Sequence, residues 1–312
     1  MSSSKSNLSI VIISYNTLEM TRDCIKSVYA NIIDLKVQVI VVDNDSVDGS
    51  VSMIKDEFPL VDIIVNKENV GFAAANNQGF DIAKNELVLL LNSDTLVLND
   101  VLGQSVDYML AHPKVGALGC RVLNTDQTMQ ATCSGYPSLA RLFFLTIGLD
   151  RLKNISAFDS YLLRSWQRDS ERDVDVISGC YLLTRKKVLD EVGGLDESFF
   201  FFGEETDWCL RMRKYGWLLR FSPVGEIIHH GGGSVKKLNH LRDVMLTNAT
   251  VRLHKKNSGT SAALIAFTIL AAFNLSRAIF WTSASLFNKE AKSRAKHFQK
   301  VVGCTSETWP KG

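Results

Sequence analysis

Several short polar motifs directly follow apolar runs, and their residue types are those that bind nucleotides and metal ions. Asn92-Ser93-Asp94 follows residues 87–91, and Asp43 follows residues 37–42. A carboxylate beside an amide oxygen offers hard oxygen ligands for a Mg²⁺ or Mn²⁺ ion that bridges a diphosphate. Asp43 could accept hydrogen bonds from a base or a ribose. The alternative for Asp94 is helix capping, because a helix could begin near Thr95 or Asn99.

A dense acidic group, Glu204, Glu205 and Asp207, lies between four consecutive phenylalanines and Trp208. Acidic residues in the first turn of a helix are favoured by its dipole, so a capped helix start with a solvated face is one interpretation. The flanking apolar side chains would also desolvate these carboxyls and raise the pKa of at least one, which suits a general base. Both interpretations place the group at the start of a helix.

His229 and His230 stand between an apolar run and three glycines. A single histidine is usually a structural residue, but neighbouring glycines let the backbone approach a ligand closely. Histidine is a common ligand of Mn²⁺-like ions, so either residue could bind a metal ion or contact a phosphate. The loop that includes Asn69 and Gly71 is not GxGxxG, and GxxxxGKS/T is absent, which argues against a dinucleotide fingerprint and a P-loop ATPase.

An alternation of strands and helices must position these motifs. Apolar runs predict strands at residues 8–13, 37–42, 61–65 and 87–91, and the intervening segments predict helices at 18–30, 49–57 and 72–84. Continuous apolar strands between helices predict a parallel sheet that is covered on both faces. Ligands bind at the carboxyl ends of such strands. The polar segments 14–17, 43–50, 66–72 and 92–94 follow the four strands and therefore predict a binding site on one rim.

The rest of the chain is less regular up to about residue 175. Residues 124–175 predict a long excursion that acts as a lid or a partner-binding insertion. Strands follow at residues 174–184 and 217–221, the acidic group opens a helix that runs to about Lys214, and residues 227–234 form a glycine-rich turn.

The composition fits one large domain, or one domain with an appendage. Of the 312 residues 46% are apolar and only 5 are proline, which excludes a disordered or collagen-like chain. Six scattered cysteines without a CxxC pair indicate free thiols in a reducing compartment, and the first 16 residues lack the features of a signal peptide. We therefore expect a cytoplasmic catalytic body with no nucleic-acid partner.

The formal charge of +2 averages two unlike regions. Residues 1–250 carry 25 Lys+Arg against 31 Asp+Glu, a balance of −6, whereas residues 251–312 carry 10 against 2, a balance of +8. In the basic region, apolar runs at 262–273 and 278–287 are separated by Asn274, Ser276 and Arg277. One spanning helix would place Arg277 near mid-membrane at a cost of about 2.5–3.5 kcal/mol, so two interfacial helices fit better.

A series of basic residues follows these apolar runs and would face anionic lipid. Its basic residues are Lys289, Lys292, Arg294, Lys296 and Lys300. The alternative is a helical hairpin that packs on the catalytic domain or forms a homodimer. We therefore predict a catalytic domain at residues 1–255 and a helical, membrane-associated region at 256–312.

Taken together, these segments resemble the inverting family 2 glycosyltransferases with the GT-A fold, particularly the bacterial rhamnosyltransferase-like branch. The matching stretches occur in the family's order over residues 8–250; they are residues 11–16, 41–50, 69–77, 89–94, 193–211 and 229–234. The resemblance implies a Rossmann-like α/β fold for nucleotide-diphospho-sugars, with a mixed, mainly parallel sheet and helices on both faces. It also implies membrane association of the C-terminal tail, as in polyprenyl-linked glycan transferases.

The resemblance carries over to individual residues. Asp94 stands at the family's Asp-x-Asp metal motif, and His229 aligns with its histidine, with His230 as the alternative; Mg²⁺ or Mn²⁺ is the implied cofactor. Glu205 is the expected base, although Glu replaces the usual Asp there, which leaves Glu204 and Asp207 open as alternatives. The remaining implied positions contact the donor or the acceptor. They are Tyr15, Asn16, Asp43, Asn69, Gly71, Asn76, Asn92 and Ser93 on the donor side, and Gly179 and Cys180 on the acceptor side.

The implied reaction is transfer of a sugar, rhamnose in this branch, from a dTDP- or UDP-sugar to a hydroxyl of a glycan or polyprenyl-linked acceptor in cell-surface polysaccharide synthesis. It is a single displacement with inversion on the inner face of the cell membrane. Two other classes are alternatives: a sugar-phosphate nucleotidyltransferase, and a non-catalytic membrane-surface scaffold derived from a transferase. The segment 14–17 lacks the glycine- and basic-rich loop that usually follows the first strand of nucleotidyltransferases.

Overall fold

The computed structural model describes residues 7–152, 155–231 and 240–310, and these form two compact units. The first unit contains residues 7–135, 166–200 and 204–231; the second contains the described parts of 136–165, 201–203 and 240–310. Residues 232–234 of the predicted glycine-rich turn lie outside the described residues. The boundary at residue 255 stays a prediction, and that residue lies within the longest helix of the second unit.

The described residues contain nine strands and nine α-helices. The strands are β1 (Asn7–Ser14), β2 (Lys36–Asp43), β3 (Asp62–Val65), β4 (Leu87–Asn92), β5 (Thr95–Val97), β6 (Val115–Leu123), β7 (Arg172–Asp173), β8 (Tyr181–Arg185) and β9 (Leu218–His229). The helices are α1 (Leu18–Ala30), α2 (Ser50–Glu57), α3 (Phe72–Asp81), α4 (Val101–Ala111), α5 (Leu139–Ile147), α6 (Lys186–Val192), α7 (Glu204–Lys214), α8 (His240–Ala284) and α9 (Ala291–Gly303).

All nine strands belong to one mixed sheet in the first unit, in the order β3-β2-β1-β4-β8-β6-β9-β5, with β7 paired to β9. The first four strands run parallel, so that Ser14 lies opposite Asp43 and Ile13 lies opposite Asn92. Strand β8 is antiparallel to both β4 and β6. The predicted mixed α/β sheet is confirmed, and the parallel register brings the polar strand ends to one edge.

Both faces of β1 are covered because its alternate residues pack on different helices. Ile10 and Ile12 join Ile25 of α1 in the main hydrophobic core. On the other face, a Cβ added to Gly79 of α3 would lie 2.3 Å from Val11 Cγ1, so glycine is required for this close approach. The covered strands explain why β1, β2 and β4 are apolar along most of their length.

Three predictions on the first unit need correction. The strand predicted at 174–184 is regular only from Tyr181, because the preceding residues bend after a single bridge between Ser134 and Val176. The strand predicted at 217–221 continues to His229 as β9. Thr95 begins the short strand β5 rather than a helix, and the next helix begins at Val101.

The second unit is helical and contains α5, α8 and α9. Helix α8 has a kink at Gly259, because the φ of 86° at this residue does not fit a helical backbone. The prediction of two separate helices is wrong, because α8 runs without a break from Thr260 to Ala284 through the first apolar run and most of the second. The irregular excursion predicted at 124–175 also contains a regular helix, α5. One described helix, α8, is long and apolar enough to cross a membrane by length and composition.

Candidate active site

The loops after β1 and β2 hold each other in place. The Asn16 backbone N–H donates to Ser46 Oγ at 2.9 Å, and Asn16 Oδ1 accepts from the Val47 N–H at 2.9 Å. Asn16 has a φ of 52°, a left-handed conformation that asparagine tolerates better than most residues. The side chain of Asn16 therefore braces the rim, and the neighbouring Tyr15 is 38% exposed beside it.

Asp43 ends β2 with its side chain fully buried. Its Oδ1 accepts from the Ser46 N–H at 2.9 Å, whereas its buried Oδ2 accepts no hydrogen bond from any described residue. A buried carboxylate oxygen without a donor is costly, and a nucleotide N–H or O–H would satisfy it. Asp43 thus has the chemistry predicted for a nucleotide contact.

An amide network joins the loop after β2 to the loop after β3. Asn44 Nδ2 donates to Asn69 Oδ1 at 2.9 Å, and the Gly71 N–H donates to the same oxygen at 3.0 Å. Gly71 has a φ of 88°, and a Cβ there would lie 2.8 Å from the Phe200 carbonyl oxygen. Asn69 and Gly71 are therefore at the rim. Asn76 is not, because it is buried within α3 and donates to the Phe72 carbonyl.

The end of β4 meets the end of β9 through the β5–β9 pairing, in which Thr95 lies opposite His229. Asp94 Oδ1 is 3.2 Å from His229 Nε2, and Asn92 Nδ2 is 3.3 Å from the same nitrogen. The His230 backbone N–H donates to the Asp94 carbonyl at 2.9 Å. Ser93 is buried, and its hydroxyl is 3.3 Å from the Thr17 hydroxyl.

The Asp94–His229 pair fits a divalent cation. Adjacent ligands of an octahedral ion with bonds of about 2.0–2.1 Å lie about 3 Å apart, close to the observed separation. A carboxylate with an imidazole suits Mn²⁺ better than Mg²⁺, which prefers oxygen ligands. Among the described residues no group of three or more His, Cys, Asp or Glu side chains could hold a metal ion. An ion here would therefore need further ligands from the donor diphosphate and water.

The acidic group forms the first turn of α7, as predicted. Glu204 is 4% exposed, and its Oε2 accepts no hydrogen bond from the described residues. Burial raises the pKa of Glu204 well above its usual range, and the adjacent Glu205 raises it further. Two neighbouring carboxyls of this kind do not both ionise readily, so burial beside Glu205 favours the neutral form of Glu204. Glu205 itself is only partly buried.

Asp207 has a structural role in this helix. It is fully buried, and its Oδ2 accepts from Arg211 Nε at 2.8 Å. The same guanidinium donates to the carbonyl oxygens of Val192 and Gly194 at 2.8 and 2.7 Å. The Asp207–Arg211 pair thus attaches α7 to the end of α6.

On the predicted acceptor side, Cys180 is buried directly before β8, and its carbonyl accepts from the Asn92 N–H at 3.2 Å. Burial raises the pKa of its thiol far above the usual value, so it is not a nucleophile. A Cβ on Gly179 would make ordinary contact with the Phe72 ring at 3.7 Å. The backbone at 179–180 therefore lies against the end of β4.

The comparisons with known proteins give the family of the chain. The family model described as glycosyl transferase family 2 matches residues 9–193, more than half of the chain. The chain belongs to glycosyl transferase family 2. The N-acetylglucosaminyl-diphospho-decaprenol L-rhamnosyltransferase of Mycobacterium tuberculosis is 27% identical over 205 residues, which cover 62% of this chain. The match spans 66% of that relative's length.

Solved structures show the same fold. The mannosyltransferase PcManGT from Pyrobaculum calidifontis, in complex with GDP-Man and Mn²⁺, is similar with a TM-score of 0.58 and 15% identity, over 96% of this chain and 86% of that one. GalNAc-T7 with UDP, GalNAc and Mn²⁺ gives a TM-score of 0.54 and 16% identity, over 72% and 43%. These likenesses confirm the GT-A fold of this family 2 glycosyltransferase.

Sequence reasoning missed two contributors to the candidate site, Gln130 and Ser46. Gln130 lies in the irregular stretch after β6, and its Oε1 is 2.7 Å from His229 Nδ1. Nothing in the local sequence signals this contact, because the two residues are 99 positions apart. Ser46 was also not singled out, although it lies within the predicted strand-end segment and bonds to both Asn16 and Asp43.

Proposed function

We propose that this glycosyltransferase moves a sugar with inversion from a nucleoside diphosphate to an acceptor hydroxyl, with the help of a bound divalent metal ion. The observation that carries the proposal is the separation of 3.2 Å between Asp94 Oδ1 and His229 Nε2 at the sheet edge where Asp43 also ends its strand. Carboxylate and imidazole at that distance are suited to hold Mn²⁺ against a diphosphate.

The rim loops would hold the donor. Asp43 Oδ2 accepts from the nucleotide, and the Asn16–Ser46 contact keeps the two neighbouring loops at a fixed distance. Asp94 and His229 would hold the metal ion, which supplies positive charge to the departing diphosphate. Because the loops are already braced by hydrogen bonds, little of the donor's binding energy is lost in ordering them.

Glu205 would act as the general base. Glu204 is kept neutral by burial, and Asp207 is paired with Arg211, so Glu205 is the member of the acidic group suited to accept a proton. It takes the proton from the acceptor hydroxyl, whose oxygen attacks the anomeric carbon from the face opposite the nucleotide. The bond to the diphosphate breaks in the same step, which inverts the anomeric configuration.

The donor and acceptor proposals rest on the relatives. The Mycobacterium relative is named as an L-rhamnosyltransferase acting on N-acetylglucosaminyl-diphospho-decaprenol. We therefore favour dTDP-rhamnose, with UDP-sugars next, and a polyprenyl-linked or glycan acceptor in cell-surface polysaccharide synthesis. Such an acceptor places the enzyme on the cytoplasmic face of the membrane, where the basic C-terminal region contacts anionic lipid; a homodimer is compatible with this placement.

The test is transfer from a panel of nucleotide sugars to a polyprenyl-diphosphate-linked N-acetylglucosamine, with and without Mn²⁺. Transfer of rhamnose that requires Mn²⁺ is expected, with an inverted anomeric centre in the product. Binding without turnover would instead favour a scaffold. Exchange of pyrophosphate with a sugar phosphate would favour a nucleotidyltransferase.

The base is tested with Glu205→Gln, which keeps the shape of the side chain but cannot accept the proton. Turnover should fall by about 10²–10⁴-fold. Donor affinity, measured by calorimetry, should change little. Glu86→Gln is the matched control, because Glu86 is exposed at the opposite end of β4. Wild-type turnover in Glu205→Gln would show that another group is the base.

A further inference from the structure

Helix α5 is largely apolar, yet two of its large apolar side chains are exposed. Its sequence is LARLFFLTI, and Leu142 is its one buried residue. Phe143 and Ile147 are 49% and 52% exposed. Arg141 is its only charged residue, and its guanidinium donates to the Tyr136 carbonyl and to Ser160 Oγ. A helix that is apolar all round is normally buried in protein or in a membrane.

Helix α5 packs directly on the second half of α8. Leu142 shares a core with Ala263, Ala266 and Leu270, and Thr146 Oγ1 is 3.5 Å from the Ile269 carbonyl. The second half of α8 is apolar, and only 28% of its most apolar stretch is buried. Together these helices present one set of exposed apolar side chains, the α5–α8 apolar surface. Its members are Phe143, Ile147, Leu264, Ile265, Leu275, Ile279 and Phe280.

Positive charge accompanies this surface. Between Asn257 and Asn288 the only charged residue is Arg277, whose guanidinium lies 4.3 Å from the centre of the Phe273 ring. Arg294 stacks on Trp281 in the same way at 4.6 Å. Four further exposed lysines lie just before α9 or on it; they are Lys289, Lys292, Lys296 and Lys300. Apolar side chains with adjacent lysines and arginines match the acyl chains and phosphates of an anionic bilayer.

We propose that the α5–α8 apolar surface lies in the headgroup region of an anionic membrane, so that α5 is a second membrane contact beside the C-terminal region. The proposal rests on the membrane association given above and assigns its contact surface. It changes the role of the segment around α5 from a lid or partner-binding insertion to a lipid contact.

Vesicle sedimentation tests this surface with the double variant Phe143→Ser/Ile147→Ser. With vesicles of phosphatidylcholine and phosphatidylglycerol, the variant should need at least tenfold more lipid for half-maximal binding than the wild type. Leu60→Ser/Leu110→Ser is the matched control, because these residues are 84% and 58% exposed in the first unit. Equal binding by wild type and the α5 variant would refute the role of α5. Failure of the wild type to bind any vesicle would refute membrane association itself.

Two further measurements exclude misfolding and a protein occupant. In Phe143→Trp, the added fluorescence should be quenched by brominated lipid; absence of quenching would also refute the proposal. Sedimentation velocity without lipid should give the same mass for the wild type and for Phe143→Ser/Ile147→Ser. A wild-type dimer that the double variant abolishes would show that a second copy, rather than lipid, covers the surface.

A separate observation concerns the orientation of His229. The hydroxyl of Thr128 donates to the Asp126 carboxylate at 2.6 Å and accepts from Asn124 Nδ2 at 2.9 Å. Asn124 Oδ1 must then accept from Gln130 Nε2, at 2.9 Å. This chain leaves Gln130 Oε1 as an acceptor toward His229 Nδ1, which therefore carries the proton.

We infer that Gln130 is a positioning residue that turns the unprotonated Nε2 of His229 toward Asp94. In this tautomer, Asp94 Oδ1 and His229 Nε2 are two acceptors 3.2 Å apart, and Asn92 Nδ2 lies 3.3 Å from the same nitrogen. A cation between the two acceptors would stabilise them and replace the contact with Asn92. Partners on the second nitrogen of a metal-binding histidine fix its orientation and raise its basicity. The inference rests on the proposed metal site.

The role of Gln130 can be tested through the affinity for Mn²⁺, without an activity assay. Electron paramagnetic resonance measures the free Mn²⁺ in the presence of dTDP. Gln130→Met removes the acceptor at similar length and should weaken binding about 10–100-fold. Gln130→Glu combined with Asn124→Ala keeps the acceptor oxygen and removes the opposing Asn124 Oδ1, so it should bind within about threefold of the wild type. Unchanged affinity in Gln130→Met would refute the inference. Absence of Mn²⁺ binding by the wild type would refute the metal site instead.

Discussion

Folded proteins usually bury apolar side chains and expose charged or polar ones. Two regions depart from this in opposite ways: the strand-end rim of the first unit, and the α5–α8 apolar surface of the second. At the rim and in α7, carboxyl groups such as Asp43, Glu204 and Asp207 are buried. On the apolar surface, large side chains such as Phe280 are 60% exposed. Buried charge needs a partner, and exposed apolar area needs a cover. Both departures occur where we propose that the protein meets another molecule, namely the donor and the lipid.

The largest effect on stability should come from the buried charges of the first unit. Asp207→Asn leaves the Arg211 guanidinium without its buried counter-charge and should lower the free energy of unfolding by about 3–5 kcal/mol. Asp173→Asn is the control, because Asp173 bonds to Arg220 but is 59% exposed, and should cost at most about 1 kcal/mol. Urea titrations measure both. Equal losses would show that burial does not distinguish the two pairs.

Two glycines, one in each unit, test the local packing around a glycine within each unit. Gly79→Ala places a methyl group against Val11 and should destabilise the protein by about 1–3 kcal/mol. Gly303→Ala in α9 meets nothing within 4 Å and should be neutral or stabilise by up to about 1 kcal/mol, because alanine favours helix. Thermal unfolding of the two variants measures the difference. If Gly79→Ala were neutral, the contact between α3 and β1 would be looser than described.

The neutral state of Glu204 predicts a pH dependence with a definite sign. Because its pKa in the folded protein is raised above the unfolded value, ionisation of Glu204 lowers stability as the pH rises through the folded pKa. Glu204→Gln removes this loss. The variant should therefore match the wild type near pH 4 and have a higher melting temperature than the wild type at alkaline pH. Glu86→Gln serves as the control, and parallel curves for all three proteins would contradict the assignment.

The smallest effect should come from the apolar surface, although its residues are large. Ile279→Ser removes a side chain that is already 60% exposed, so the free energy of unfolding should change by no more than about 0.5 kcal/mol. Leu270→Ala, at a position only 8% exposed on the buried side of the same helix, should cost about 2–5 kcal/mol. Urea titration measures both. A large loss in Ile279→Ser would mean that protein covers this surface.

Local patterns were sufficient for the first half of the sheet. Residues 18–30 were predicted as a helix with the bounds that α1 has, because its apolar spacing and flanking polar residues are local signals. The strand ends placed Asp43 and Asp94 on one edge for the same reason. The strand predicted at 174–184 began too early, because Ile177 is buried without belonging to a strand.

Long-range contacts account for what was missed. Asn274 and Arg277 suggested a break between two helices, but Asn274 lies on the buried side of α8 and Arg277 stacks on Phe273. The contact of Gln130 with His229 could not be found, because a side-chain hydrogen bond across 99 residues leaves no periodicity in the sequence. The helix α5 was hidden for a similar reason, since its apolar residues have no single buried side.

Only three residue pairs join β5 to β9, and one of them places Thr95 opposite His229. A slip of one residue would turn His229 to the other face of the strand, so a ligand that bridges Asp94 and His229 binds one register alone. In the proposed complex, the bound donor would raise the free energy needed to open this short ladder by RT ln(1 + [L]/Kd). The His230 and Leu98 amides donate across the ladder to the Asp94 and Glu226 carbonyls. Their rates of exchange with deuterium would therefore measure the fraction of the protein that holds the proposed donor.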